Sequence, residues 1–359
     1  MALGLSLTAD VCLYLLLPMY AEAFGVNLAE VGLLLAANRL VRIAGYGAVA
    51  RFYARYGDRP TCLLAVGASA CSALGYATVS GFWALLPLRL LWGMAFAALN
   101  LSTQALATAE PAGAARRSGR SRAIISSGPV LALPLAALLA YAVDSPRPIF
   151  FVLAAAMLPG LWFAHRLPAI GHPVAPRRRF TRPGSLDLWS FLEGFVLDGL
   201  FIVGLAVLGR AALPDAAVLV AGALLASRYL GEIALAPLGG RLAERLGAER
   251  LLVMLSLITT LALIGFGLGW LWSGAAAIIV LRSLQVPLLA PIVARRTPGP
   301  ERVRALASRA IWRDVGAGLG PIAAGLLLPV APAPAVYGVA AALLAVAALA
   351  VGRDGSGRR

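Results

Sequence analysis

Twelve times along this chain a run of roughly twenty apolar residues ends in a short polar break. The runs fall near 3–24, 28–50, 61–80, 83–107, 122–143, 147–165, 187–209, 215–238, 250–268, 271–294, 304–328 and 333–352. About 20 helical residues rise about 30 Å, the thickness of the hydrocarbon core of a bilayer. Each run therefore reads as one helical crossing, here called spans 1 to 12. A transmembrane β-barrel would instead show ten-residue segments of alternating polarity, and the chain has none. Composition agrees with many crossings: 60% of residues are hydrophobic and 13% charged. No basic region or small-residue cleavage site stands before span 1, so it is expected to be retained rather than removed as a signal peptide.

A net charge of +15 raises the question of nucleic acid, and the placement of the charge answers it. All 31 basic residues are arginine. Counting Arg122, Arg250 and Arg304 at span boundaries, 22 of them lie after even-numbered spans or in the C-terminal tail. Only Arg147 and Arg210 lie on the other side, and seven are inside spans. That asymmetry is the positive-inside rule and puts both termini in the cytoplasm. The basic loops are expected to meet anionic lipid, and no nucleic-acid partner is expected. The all-arginine usage fits a GC-rich bacterial genome, hence a bacterial inner membrane.

"HRLPAIGHPVAPRRRFTRPGS", between spans 6 and 7, is the longest polar interruption. Its proline, glycine and arginine content reads as a cytoplasmic linker. The expected domains are an N-terminal six-helix bundle over 1–165, a linker over 166–186, and a C-terminal six-helix bundle with a short tail over 187–359.

The two halves look alike. Gly57 aligns with Gly247 at an offset of 190, and other pairs follow in order close to it. Asp10 meets Asp198, "NRLVR" at Asn38 meets "SRYLGE" at Ser227, Arg89 meets Arg282, and Gly128-Pro129 meets Gly320-Pro321. Five ordered matches point to a duplicated unit of six helices.

The break after span 8 reads Gly240, Leu242, Ala243, Glu244, Arg245, Gly247, and the break after span 2 keeps Arg55, Gly57 and Arg59. This resembles the loop signature of the major facilitator superfamily, approximately Gly-x-Leu-Ala-Asp-Arg-x-Gly-Arg-Lys. The first copy has Ala50 for the leading glycine and Ala54 for the acid; the second has Glu244 for that acid. "RLLWGMAFA" from Arg89 and "SSGPVLALP" in span 5 resemble further family motifs, the latter without the glycine pair that follows it in antiporters. The resemblance implies an all-α integral membrane fold of 12 helices in two pseudo-symmetric bundles around a cavity, working by alternating access. It also implies a gating role for Arg55, Gly57, Arg59, Gly240, Glu244, Arg245 and Gly247. The partial span 5 motif leans toward export.

Charges inside spans carry the chemistry. One near mid-bilayer costs about 2.5–3.5 kcal/mol on insertion scales, so each should face a partner or a hollow. By depth, Asp10 in span 1 is expected to pair with Arg42 or Arg39, which share one face of span 2. Arg228 and Glu232 form an i,i+4 pair in span 8, while Asp198 sits mid-span in span 7, five residues after Glu193. Arg89, Arg309 and Arg313 lie nearer span ends, where long side chains can snorkel. Burial raises a carboxyl's pKa and a nearby guanidinium lowers it, so Asp10, Asp198, Glu193 and Glu232 are the candidates for proton coupling. Asn38, Arg39, Arg42, Arg228 and Arg282 are the candidates for binding substrate. Seven intramembrane arginines face five acids, which favours an anionic substrate, an organic acid or an amphiphile. Trp92, Trp189, Trp312, Tyr14 and Tyr229 are possible aromatic walls, more often used for packing.

Enzyme chemistry finds little foothold. Without lysine there is no P-loop and no lysine Schiff base. Cys12, Cys62 and Cys71 have neither disulfide-framework nor zinc spacing. No cofactor and no metal are expected. The expected function is proton-coupled secondary transport of a small molecule by a monomer. The alternative is a transporter-like subunit or lipid flippase, which binds a partner or lipid.

Overall fold

The computed structural model describes residues 1–143, 145–169, 183–212 and 217–356. The described residues are almost wholly helical, because a chain in hydrocarbon must bond its own backbone groups and a helix does so within one segment. The helices are α1 Ala2–Met19, α2 Leu28–Tyr56, α3 Asp58–Thr78, α4 Phe82–Ala107, α5 Ala114–Val143 and α6 Pro148–His165. After the linker come α7 Ser185–Glu193, a π-helical stretch Gly194–Leu200 and α8 Phe201–Ala212, which together form span 7. Then follow α9 Ala217–Leu246, α10 Ala248–Gly267, α11 Leu271–Gln285, α12 Leu289–Arg296, α13 Arg302–Leu327 and α14 Ala333–Ser356. Most of the linker, including His172, lies outside the described residues.

Among the described residues, ten helical stretches are long and apolar enough to cross a membrane. Spans 8 and 11 are not among them; α13 carries Arg302, Arg304, Arg309, Arg313 and Asp314 in its first half. Several helices overrun their apolar runs. Arg51 and Arg55 ride on the last turns of α2, and Arg116, Arg117 and Arg120 on the first turns of α5. These arginines, read above as loop residues, are helical because arginine is a good helix former and its charge can project past the apolar zone.

The repeated break is shorter than the sequence suggests. Gly57 alone joins α2 to α3, and Gly247 alone joins α9 to α10. Both have positive φ, 79° and 87°, a region where any Cβ is strained. Asn27 starts α2 with a capping box, its side chain accepting from Glu30 N–H at 3.0 Å while Glu30 Oε2 accepts from Asn27 N–H at 2.9 Å.

The chain forms two compact units. The first gathers Met1–Leu106, Ile124–Pro176 and Gly299–Ala307. Its core packs α3 on α6 and α1 on α6, with Phe150 edge-on to Phe24 and Tyr76 at 6.1 and 5.6 Å. The second gathers Ala107–Ala123, Arg177–Pro298 and Ser308–Arg359. There α10 packs on α14 and α11, and Phe266 sits edge-on to Phe201 and Tyr337 at 5.2 and 4.8 Å. The pairings α3 with α6 and α10 with α14 are the same pair of spans in each half. The start of α5 belongs to the second unit because glycines let it touch α9 backbone to backbone: Gly119 lies against Ala236 O and Gly240 against Ala115 O. Leu131, Leu135, Leu138, Leu261, Leu326, Val339 and Val346 are exposed apolar side chains of the kind that faces lipid.

Candidate functional site

In the first unit the charges converge on Asp10. Its carboxylate accepts from Arg89 Nη1 at 2.5 Å and from Asn38 Nδ2 at 3.4 Å. Arg89 also donates from Nε to Leu34 O at 3.0 Å, and its guanidinium lies 5.4 Å from the Tyr14 ring centroid. Arg89 is 0% exposed, which corrects the expectation of a snorkelling interfacial arginine. A full turn and more of apolar helix flanks it on both sides, and the acid on α1 compensates its charge. Arg42 is buried with its guanidinium 4.6 Å above the Phe96 ring, and Arg39 is half-buried one turn earlier on α2. Two buried polar atoms here, Asn38 Oδ1 and Trp92 Nε1, have no hydrogen-bond partner among the described residues.

The second unit holds a larger constellation. Asp198 Oδ1 accepts from Arg228 Nη2 at 2.9 Å and from Arg282 Nη2 at 2.5 Å, while Oδ2 accepts from Arg313 Nη2. Glu193 lies 3.5 Å from Arg282 Nε and accepts from Arg313 Nε at 2.9 Å. Glu232, 0% exposed, takes a bidentate grip from Arg122 at 2.8 and 2.9 Å and a weaker contact from Arg282 at 3.4 Å. Its i,i+4 contact with Arg228 is the loosest, at 3.9 Å, so the pair read from spacing is present but secondary. Four guanidiniums thus meet three carboxylates. Arg309, also read as interfacial, lies 3.3 Å from Asp187.

The ordered matches between the halves align the common part. Asp10 aligns with Asp198 and Arg89 with Arg282 in the sequence, and each acid–arginine pair closes at 2.5 Å. Sequence reasoning found all four residues but not the pairing. It left out Arg122, which sits where span 5 begins and looks like a boundary charge, and it placed Arg313 inside span 11 but near its end, where the side chain could snorkel. Of the aromatic residues, Trp189 donates to Ser256 Oγ at 3.0 Å inside the core and packs rather than lining a wall. Trp312 is edge-on to Phe191 at 6.5 Å.

The first break has an acid close by. Ala54 carries none, but Asp58, four residues on, is buried and accepts from Tyr53 OH at 3.1 Å and Ser102 Oγ at 2.5 Å. An aspartate directly after the turn glycine was the available signal. Arg59 donates from Nε to Leu167 O at 2.8 Å, and Arg55 lies over the Tyr56 ring at 5.2 Å. In the second copy Glu244 is 4.0 Å from Arg116, and Arg245 is exposed.

Many apolar helices with compensated charges buried among them define a multi-pass membrane protein. The sequence profile of the Major Facilitator Superfamily matches residues 1–213 and 190–354, and the chain belongs to that family, whose members are transporters and not enzymes. No curated protein sequence matches it. Among solved structures it is similar to the human organic anion transporter MFSD10 (TETRAN), with TM-score 0.77 and 19% identity over 98% of this chain and 97% of that one. It is also similar to the E. coli fucose:proton symporter FucP, with TM-score 0.73 and 14% identity over 97% and 95% of the two chains. A bacterial homologue of the iron transporter ferroportin, in its outward-facing state, gives 0.74 and 12% over 98% and 97%. At these identities the likeness establishes the fold.

Proposed function

We propose that the chain is a proton-coupled secondary transporter that moves a small organic anion or an anionic amphiphile across a bacterial inner membrane by alternating access. In this reading twelve spans form two six-helix halves, 1–165 and 187–359, joined by a cytoplasmic linker, with both termini cytoplasmic and the monomer as the working unit. The observation that carries it is the cluster of three buried carboxylates and four guanidiniums in the second unit. Each such charge is costly in an apolar bundle and finds its use in binding ions. Asp10, Glu193, Asp198 and Glu232 are the groups proposed to exchange protons. Arg39, Arg42, Arg228 and Arg282, with Asn38, are proposed to hold the anionic group. In the first unit Arg39, Arg42 and Arg89 outnumber Asp10, and the orphaned Asn38 Oδ1 and Trp92 Nε1 offer further polar contact to a ligand. The organic anions named for MFSD10 and the proton named for the fucose symporter are in keeping with this chemistry.

Counterflow of labelled organic anions in proteoliposomes tests the reading. Wild-type protein is expected to exchange anions and to concentrate or expel them when a pH gradient is imposed. Asp10→Asn with Asp198→Asn is expected to abolish the response to the gradient. A response unchanged in that double variant would sink the coupling assignment. Movement of labelled phospholipid without movement of any soluble anion would favour a flippase.

A further inference from the structure

Span 7 contains a turn that its counterpart, span 1, lacks. Gly194–Leu200 is π-helical, and Phe201 N–H donates to Val196 O, five residues back. In an α-helix, residues five apart point about 140° away from each other. Closing each ring one residue later stacks residue i under i+5, much as the α-helix stacks i under i+4.

Two pairs of residues use that spacing. Glu193 and Asp198 meet the same two guanidiniums. Arg282 approaches Glu193 Oε1 with Nε at 3.5 Å and Asp198 Oδ1 with Nη2 at 2.5 Å. Arg313 donates from Nε to Glu193 Oε2 at 2.9 Å and from Nη2 to Asp198 Oδ2. Gly194 and Gly199 both press on α13: a Cβ on the first would collide with Arg313 O, and on the second with Gly320. The contact is reciprocal, since Gly316 lies against Phe191 O and Gly320 against Phe195 O. In the first half α1 is a continuous α-helix; counting back from Asp10 and Asp198 with the extra residue left out, the partner of Glu193 is Ser6, and that of Gly199 is Val11. The second carboxylate and the extra residue therefore go together in the one half.

We propose that the π-helical turn joins Glu193 and Asp198 into a single acid pair that occupies Arg282 and Arg313, and that the substrate's anionic group takes over these guanidiniums when the pair takes up protons from water. This rests on the reading of the chain as an anion transporter. A guanidinium buried without a counter-charge is unfavourable, so carboxylate and substrate anion exchange places rather than leaving the site empty. The charged groups facing the pair are Arg228 and Glu232 of α9, Arg282 of α11, and Arg313 and Asp314 of α13, with Arg122 of α5 on the far side of Glu232. Arg122 holds Glu232 bidentately, which leaves Glu193 and Asp198 as the acids that release Arg282 and Arg313. Gly194, Gly199, Gly316 and Gly320 are positioning residues, acting through the register they allow. Proton and anion then bind together, so an inward proton gradient draws the anion inward, against the lean toward export read from Gly128-Pro129.

The test is binding of p-toluenesulfonate, an organic anion that stays ionised, to the purified full-length protein across a pH series. Each proton taken up with the anion changes apparent affinity by about tenfold per pH unit. Wild type is expected to bind more tightly as pH falls, with a slope above one proton. Glu193→Gln and Asp198→Asn are each expected to lose about one proton from it. Deleting Val196 removes the extra residue and leaves the acids four apart on one α-helical face, so the wild-type slope is expected to persist. Deleting Leu200 also restores an α-helix but keeps the acids five apart, turning Asp198 off the face by roughly 100° per residue of register; it is expected to behave like Glu193→Gln. If the deletions do not yield folded protein, the two point variants decide, and an unchanged slope in both overturns the proposal. Binding that does not vary with pH in the wild type overturns it too, while leaving the anion reading intact. No binding at any pH overturns the anion reading itself.

Discussion

Arg89→Met is the most informative single change in the first unit. Arg89 is 0% exposed and closes on Asp10, itself 9% exposed, at 2.5 Å. With about 4 Å between charge centres and an effective dielectric near 20, the attraction is about 4 kcal/mol. Removing one partner of such a pair leaves the other buried and uncompensated, at a cost of about 3–5 kcal/mol, whereas removing both is often close to neutral. Arg89→Met is therefore expected to destabilise the protein by about 3–5 kcal/mol, softened slightly by Asn38, which still reaches Asp10 at 3.4 Å. For a unit of 150–250 residues, about 2–4 °C per kcal/mol makes this roughly a 6–20 °C fall in melting temperature. Asp10→Asn/Arg89→Met is expected to recover more than half of the loss. The assay is thermal denaturation of detergent-purified protein at a fixed scan rate, since the midpoint of an irreversible transition depends on that rate. A double variant no more stable than Arg89→Met alone would show that the two residues are not energetically coupled and would refute the reasoning.

Asp58→Ala takes the acceptor from Tyr53 and Ser102 and is expected to cost about 2–3 kcal/mol, read as a lowered melting temperature; Ala54→Asp is not expected to restore it, because the hydroxyls converge on the Asp58 position. Arg122→Gln breaks the bidentate grip on Glu232 and is expected to cost about 1.5–3 kcal/mol in the same assay, with Arg122→Lys recovering only part, since an ammonium cannot present two parallel donors. A melting temperature unchanged by Arg122→Gln would mean that Arg282 and Arg228 suffice for Glu232.

What the sequence made legible follows from what is periodic in it. Apolar runs of bilayer length located the helices, and ordered matches between the halves located equivalent residues, Asp10 with Asp198 and Arg89 with Arg282. Partnerships were harder. Depth along a span can be counted, but the direction in which a side chain points from one helix toward another depends on helix rotation, which an almost uniformly apolar span does not encode. Arg89 was assigned to the interface although it lies 79 residues from its buried partner Asp10. Arg122 reads as a boundary charge because an apolar run starts beside it, and Arg313 as a snorkelling residue because it lies toward one end of its span. The π-helical turn was hidden for a related reason: a single added residue shifts the register of side chains without changing the composition of "GFVLDGL". Asp58 was readable from its place directly after the turn glycine, as the first residue of α3.

The connection made by Gly57 alone, and by Gly247 alone, has a mechanical consequence. A link of one residue has no slack, and its peptide units are already committed to the end of one helix and the start of the next. The end of α2 is thereby pinned to the start of α3, and the end of α9 to the start of α10, although α3 packs chiefly on α6 and α10 on α14 and α11. A shift at either glycine therefore reaches two separately packed helices through a single residue.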